Sequence, residues 1–249
     1  MMLKGRQDAF GKALLDWHAG KRPLMAFERD DGYIDCSDST GSYFAPYRDW
    51  PATEKRALRL VRGRVLDIGC GAGRHCLRLQ EKGHDVVGID NSPLALKVCR
   101  KRGVRRGRPL AAAELSSRRL KTLGGRFDTV LMMCNNFGLF SSPARARWML
   151  RRFLGITNPG ARIIASTLDP YASKRPEHTS YHRWNRRRGR AGGQVRIRAR
   201  YRDYATPWFN YLFVSRKELL AILESTGWKL GRVVKEPGGR YIAVIERTG

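Results

Sequence analysis

The stretch that most constrains the fold runs from Arg64 to Asp90 and reads RVLDIGCGAGRHCLRLQEKGHDVVGID. Val65, Leu66 and Ile68 form a short apolar run, rich in branched side chains and closed by glycine, as expected of a central parallel strand covered on both faces. Gly69, Gly71 and Gly73 then let the backbone turn sharply and approach a ligand closely, because no Cβ stands in the way. Cys76, Leu77 and Leu79 fall on a helical face within Arg74 to Glu81, and Gly83 stands where a left-handed residue closes a helix. Val86, Val87 and Ile89 make the next strand, with Asp90 at its carboxyl end. The segment is a β-α-β unit that ends in an acid.

In such units an acid about twenty residues after the glycines bonds a ribose diol, so the geometry predicts a nucleoside ligand. A dinucleotide fingerprint wants glycine or alanine where Arg74 stands; here an acid, Asp67, lies two residues before Gly69 instead. Asp67, Gly69, Gly71 and Gly73, with Asp90 after them, resemble motif I and the following acid of the class I S-adenosylmethionine (SAM) dependent methyltransferases. The resemblance covers about Pro51 to Leu168 and Ser215 to Glu246. It implies a Rossmann-like, seven-stranded, mostly parallel sheet of order 3-2-1-4-5-7-6 with helices on both faces; outside the resemblance, the residues themselves read as a β-hairpin insertion after the fifth strand. It also implies SAM as cofactor, held by Asp67, the turn Gly69, Cys70, Gly71 and Gly73, and Asp90. Asn91 and Ser92 are expected beside the nucleoside, and Glu114 stands near where the family often places an acid by the adenine.

At 249 residues the chain can bury a full core and is read as one domain with insertions: an amino-terminal helix and lid segment over 1–50, the methyltransferase domain over 51–249, and within it an insertion over 169–214. No repeat, signal peptide or bilayer-spanning run is visible, so a cytoplasmic location without a membrane partner is expected. Five cysteines without a CxxC pair indicate neither a disulfide framework nor a zinc site, and no metal is expected. The net charge of +27 would point to nucleic acid, yet most of the cations are arginine, which a compositional bias of the source could also produce. Nucleic acid therefore stays a possible partner but not the favoured one, and position has to decide.

Taken in order, Gln7 to Ala19 predicts an amphipathic helix. Met25 to Trp50 has little periodicity but gathers Asp and Glu residues with Tyr33, Tyr43, Phe44, Tyr47 and Trp50; it reads either as a solvated loop or as a cover over the cofactor with affinity for an amine. Ser92 and Pro93 open a helix to about Arg102. The basic run from Arg100 to Arg108 follows that helix and is expected on a solvated side opposite the chemistry. Leu110 to Ala113 is read as a third strand, and Phe127 to Met133 as the fourth. Cys134, Asn135 and Asn136 follow at a place resembling motif IV, without the [DN]PP[YF] of base and amide methyltransferases; they could hold the methionine amine or the acceptor, or form a plain turn. Ser142 to Leu154 is a helix with Trp148 and Leu150 inward, and Ile163 to Leu168 the fifth strand.

The insertion leaves the carboxyl end of that strand and can cap the substrate or form a dimer surface. Its second half alternates from Gln194 to Asp203, with arginines at 196, 198, 200 and 202 forming either a solvated stripe or an anion site, and Trp208 to Val214 returning. Ser215 with Glu218 predicts a capping box for the last helix, and two final strands close the sheet. The function expected is methyl transfer from SAM to an O, N or S atom of a small molecule, by a monomer or homodimer; an RNA or protein acceptor is the alternative. Tyr43, Tyr47, Asn136, Asp169 and Tyr171 are candidate acceptor contacts. His182, Tyr181 and His178 are the candidate general bases, needed only where the acceptor must lose a proton.

Overall fold

The computed structural model describes residues 1–248. In chain order the elements are α1 (Ala9–His18), β1 (Met25–Arg29), β2 (Ile34–Ser37), α2 (Ala52–Leu58), β3 (Val65–Ile68), α3 (Arg74–Glu81), β4 (Val86–Asp90), α4 (Pro93–Lys101), β5 (Gly107–Pro109), α5 (Leu120–Leu123), β6 (Phe127–Met132), α6 (Pro143–Leu154), β7 (Thr157–Leu168), α7 (Pro176–Arg187), β8 (Gln194–Tyr201), β9 (Tyr204–Ala205), β10 (Phe209–Leu212), α8 (Arg216–Leu223), β11 (Trp228–Lys235) and β12 (Arg240–Arg247). The larger sheet has the order β11-β12-β7-β6-β3-β4-β5, which is 3-2-1-4-5-7-6 from the β5 edge when only its own strands are counted. β3, β4 and β5 pair in parallel, as do β6 and β7, whereas β12 runs antiparallel to both β7 and β11. This is the Rossmann-like α/β sheet that the glycine-rich segment predicts. Among the described residues no helix is long and apolar enough to cross a membrane.

Three elements differ from the sequence reading. The third strand is Gly107–Pro109, not Leu110 to Ala113; the apolar residues Leu110 and Ala111 are buried, but in a turn that leads into a 3-10 helix at Ala112–Glu114. A short apolar run has no period by which a strand and a buried turn can be told apart. The aperiodic segment after α1 contains a β-hairpin, β1 with β2, paired through β1 to β8. Trp148 is 37% exposed because Ala146, Met149, Leu150 and Phe153 fill the inner face of α6, and the guanidinium groups of Arg145 and Arg152 stack on its ring at 4.0 and 4.3 Å.

The chain divides into two compact units. The first comprises Met1–Trp50, Arg64–Glu114 and Arg196–Phe209. In it α1 packs on α4 through Leu14, Ala95 and Val98, joined by Ala72 of the glycine turn. The opposite flank of α1 meets Met25 of β1 and Ala199 and Tyr201 of β8. Tyr201 donates to the buried Asp16 at 3.0 Å, and Lys12 reaches the same carboxylate at 2.7 Å. Asp8, 2% exposed, does the most: it accepts the Gly11 amide at the start of α1, the Ser92 hydroxyl at 2.6 Å and the Leu94 amide at 3.0 Å. One carboxylate thereby caps two helices. On β8 the alternation holds, with Val195, Ala199 and Tyr201 buried, but its arginine stripe is not bare. Arg198 binds Glu28 through two nitrogens, Arg200 joins the same carboxylate at 3.2 Å, and the Arg198 guanidinium lies 4.8 Å from the centre of the Trp208 ring.

The second unit comprises Pro51–Gly63, Leu115–Val195 and Asn210–Gly249. Its core is made by β6, β7 and β12, and by Phe137, Phe140 and Phe153, whose rings stand 4.9 and 5.8 Å apart in sequence. Ser215 and Glu218 form the predicted capping box at α8. α7 is held by the buried Tyr181 and Asn185; the Asn185 amide donates to the carbonyls of Gly192 and Gln194 at 3.2 and 2.6 Å.

Three cysteines belong to the packing of the first unit. Cys70, Cys76 and Cys99 are buried, while Cys36 and Cys134 are exposed. Contact with Cys76 and with Cys70 respectively, together with burial, pushes the Cys70 and Cys99 thiols well above the ordinary thiol range. They stay protonated and unreactive at neutral pH. Ellman's reagent is therefore expected to titrate two of the five thiols quickly in the native protein and the remainder only on unfolding; five fast thiols would contradict the packing. Gly11 gives a second check, because a Cβ there would lie 2.1 Å from the Ser92 hydroxyl and 2.4 Å from an Asp8 oxygen. Gly11→Ala should cost about 1–3 kcal/mol, as overpacking does, and lower the melting temperature by several degrees in a thermal melt.

Candidate active site

The glycine turn starts where β3 ends. Gly69, Gly71 and Gly73 all adopt left-handed φ values, +71°, +55° and +77°, which other residues reach only at a cost. The Gly69 and Cys70 amides donate to the Ile89 carbonyl, and the Gly73 amide to the Cys70 carbonyl, so the turn is stitched to the end of β4. Gly73 is also a position without space: a Cβ would lie 2.5 Å from Val104 and 3.0 Å from the Cys99 sulfur. The turn is floored by sulfur. Cys99 Sγ donates to the Gly71 carbonyl at 3.1 Å, and the Cys70 and Cys99 sulfurs are 3.9 Å apart.

Asp90 closes the tip of β4. Its Oδ2 accepts the Gly71 amide and its Oδ1 the Ser92 amide, both at 2.9 Å. Burial, and after it the nearby Asp8 and Asp67, push its pKa up to about 6 despite those two donors. Each oxygen carries one bond and keeps a free lone pair, and the side chain is not fully enclosed. A carboxylate so placed beside a turn of bare backbone fits a vicinal diol, and this is the fit that an adenosine ribose requires.

Asp67 is placed differently. It is 1% exposed, receives the Cys76 thiol at 3.2 Å, and is pushed upward in pKa by burial. Ser92, 2% exposed, spends its hydroxyl on Asp8 and on the cap of α4. The Asn91 carbonyl accepts the Leu3 amide at 2.9 Å, and the Glu114 carboxylate pairs with the Met1 amine at 3.2 Å. The first residues of the chain thus lie along these two candidates.

Tyr43 and Tyr47 stand in the 3-10 turns Ser39–Phe44 and Tyr47–Asp49. A Cβ on Gly71 would be 3.7 Å from the Tyr43 ring, which also meets Phe10 edge-on at 5.2 Å. This places the acidic, aromatic segment over the glycine turn. The neighbouring aromatic faces are taken by the protein's own cations: Arg78 over Tyr47 at 3.9 Å, Arg74 over Trp50 at 4.6 Å and Arg102 over Phe44 at 4.8 Å. Arg102 further donates to the carbonyls of Ala72 and Tyr43 at 2.6 and 3.1 Å. It is thus tied to the turn itself, whereas the sequence reading sets the whole basic run on the far side. The sequence reading gives Asp8 no role in the site, although an Asp directly before the first residues of a helix is a capping signal.

In the second unit Cys134 and Asn135 are consecutive non-glycine residues with φ of +56° and +63° at the tip of β6. The Asn135 amide donates to Ser166 Oγ at 2.6 Å and its carbonyl accepts from the Tyr211 hydroxyl at 2.6 Å, which holds the strained pair in place. Asn136 opens the next 3-10 turn. Asp169, at the end of β7, accepts the Tyr171 amide at 2.9 Å. The Tyr171 hydroxyl donates to Glu218 at 2.5 Å, its ring meets His182 edge-on at 5.4 Å, and burial and Glu218 raise its pKa. His178, Tyr181 and His182 occupy one side of α7: Tyr181 is 2% and His182 8% exposed, and His178 Nδ1 is 2.8 Å from Ser173 Oγ. The structure thus gathers Gly69 to Gly73, Asp90 and Tyr43 in the first unit, and Tyr171 with His182 in the second.

Comparison with known proteins points the same way. Residues 65–160 match a family model described as a methyltransferase domain. A ubiquinone biosynthesis O-methyltransferase of Azorhizobium caulinodans is 32% identical over 117 residues, 47% of this chain and 45% of that protein. A glycine/sarcosine N-methyltransferase of Halorhodospira halochloris is 32% identical over 102 residues, 41% of this chain and 38% of that one. The chain thus spans less than half the length of these curated relatives. A crystal structure of a SAM-dependent methyltransferase from Bacteroides fragilis in complex with S-adenosylhomocysteine superposes with a TM-score of 0.83 at 25% identity, covering 100% of this chain and 98% of that one. With the glycine turn, the strand-end acid and the 3-2-1-4-5-7-6 sheet already in place, these likenesses support a class I SAM-dependent methyltransferase fold for the chain, with a methyltransferase-domain match over residues 65–160.

Proposed function

We propose that this protein transfers a methyl group from SAM to an O, N or S atom of a small-molecule acceptor. The observation that carries the reading is the Asp90 carboxylate, held by the Gly71 and Ser92 amides with a lone pair free on each oxygen. SAM brings a methyl group that is already electrophilic, so what the protein adds is alignment and the exclusion of water. In this reading Asp90 receives the two ribose hydroxyls, and the backbone from Gly69 to Gly73 lies along the rest of the cofactor. Asp67 acts from beneath, by fixing the turn through Cys76, while Tyr43 covers Gly71. Segment 1–50 serves as the lid and 169–214 as the acceptor cap. Asn136, Asp169 and Tyr171 would contact the acceptor, with His182 the general base where a proton must leave; His178 and Tyr181 are the alternatives. A small acceptor is favoured by the ubiquinone-pathway relative, whose name specifies an O-methyltransferase.

The reading has a pH signature. Burial beside Asp8 and Asp67 raises Asp90 to about 6, above the ordinary aspartate range, so the folded protein favours its protonated form. That contribution to stability is full below about 4 and lost as pH rises through about 6. A diol that donates to the carboxylate prefers the ionised form. Affinity for S-adenosylhomocysteine, measured by calorimetry, should be level above about pH 6 and fall up to tenfold per unit below it. Asp90→Asn should flatten this profile and weaken binding at pH 8 by roughly ten- to a hundredfold, as loss of bonds to a charged group does. A parent-like profile in the variant would remove Asp90 from the site. The acceptor class is tested by incubating the protein with methyl-labelled SAM and a panel of phenols, amines and thiols; label transferred to RNA or protein alone would overturn the small-molecule reading.

A further inference from the structure

The charge of this chain is unevenly placed. The first unit carries 22 Lys and Arg against 14 Asp and Glu, a net +8, and the second carries 27 against 8, a net +19. A compositional preference for arginine would act on both units alike and would leave their acids as partners. In the first unit several arginines find acids, although among the described residues Arg100, Arg105 and Arg108 do not: Arg29 pairs with Asp31, Arg64 and Arg106 with Asp85, Arg198 and Arg200 with Glu28. Residues 174–190 of the second unit are unlike this, with seven cations and one acid, Glu177, already paired with Arg175.

α7 organises that stretch into two faces. Tyr181, His182 and Asn185 are buried. Arg183, Trp184, Arg187 and the capping Arg188 are exposed, and their spacing of three, four and one residues keeps them on the outer side of one helix. Among the described residues none of these three arginines pairs with a carboxylate; Arg183 reaches only the Ser180 hydroxyl, at 3.2 Å. Trp184 is 36% exposed, and the Arg188 guanidinium lies 4.0 Å from its ring centre. The Asn185 bonds to Gly192 and Gln194 fix the helix, so the face is presented without an ordering cost.

We propose that this outer face of α7 binds single-stranded RNA, Arg183 and Arg187 taking phosphates and the Trp184–Arg188 pair a base. Forked guanidinium groups match phosphate oxygens, and an aromatic ring beside arginine is a stacking surface for an unpaired base. An anionic membrane fits less well, because the stripe offers no Leu, Ile or Phe to enter a bilayer. The proposal does not depend on the identity of the methyl acceptor, and its test contains no SAM.

The probe is a fluorescein-labelled twelve-nucleotide oligouridine, followed by anisotropy from 50 to 300 mM KCl. Arg183→Glu with Arg187→Glu should weaken binding at least tenfold and reduce the slope of log affinity against log salt by about 1.4, near 0.7 for each phosphate no longer neutralised. Trp184→Ala should weaken binding about tenfold with the slope unchanged. Arg105→Glu with Arg108→Glu, two exposed positions of the first unit, makes the same change in net charge and should retain parental affinity. Thermal melts of each variant exclude misfolding as the cause. An equal loss in both double variants would mean attraction to the bulk charge and would overturn the proposal. So would a duplex of the same length that binds as well, or binding confined to phosphatidylserine vesicles.

Discussion

The bridging of one carboxylate between two backbone amides is the constraint on which the first unit depends. Asp90 stands at the end of β4, yet its oxygens reach the Gly71 amide of the turn and the Ser92 amide at the head of α4. A strand end, a turn and a helix start are thus fixed by a single side chain. Asp8 repeats the device one layer out, joining the start of α1 to the start of α4. Two acids in succession near the head of one helix exploit its unpaired amides. Their closeness also accounts in part for the raised pKa of Asp90. A fold that concentrates negative charge here favours a ligand that donates hydrogen bonds to it.

Around that anchor the arginines act as packing material as much as charge. Arg74, Arg78 and Arg102 lie over Trp50, Tyr47 and Phe44, and two of them donate to main-chain carbonyls as well. A flat guanidinium covers an aromatic ring and still reaches a carbonyl, which an ammonium does less well. The segment that looks aperiodic in sequence is ordered by these contacts and by the pairing of β1 with β8.

What the sequence discloses follows from the range over which each signal acts. The β-α-β unit and the Ser92 and Ser215 caps are legible because they rest on local spacing, whereas the order of the large sheet comes through the family resemblance that the glycine motif carries. The β1–β2 hairpin is not, since its partner β8 lies about 170 residues away in register pairs such as Phe27 with Ala199. Trp148 is misplaced because it stands two residues, about 200° of helix, from Leu150, so the two cannot both face the core, and Leu150 shares the buried face with Ala146, Met149 and Phe153. Among the candidate site residues, the glycines and Asp90 are readable as a motif. The reach of Arg102 to the turn and the work of Asp8 need coordinates, because both depend on side-chain length across elements.

The two left-handed residues at the tip of β6 have a wider meaning. Glycine would occupy those backbone positions at little strain, yet Cys134 and Asn135 stand there, at a cost of order 1 kcal/mol or more each. A chain tuned for robustness alone would shed that burden. Replacement by glycine at this corner would relieve that strain but loosen the unfolded chain, so the two effects on stability oppose each other and the net change is smaller than the strain alone suggests.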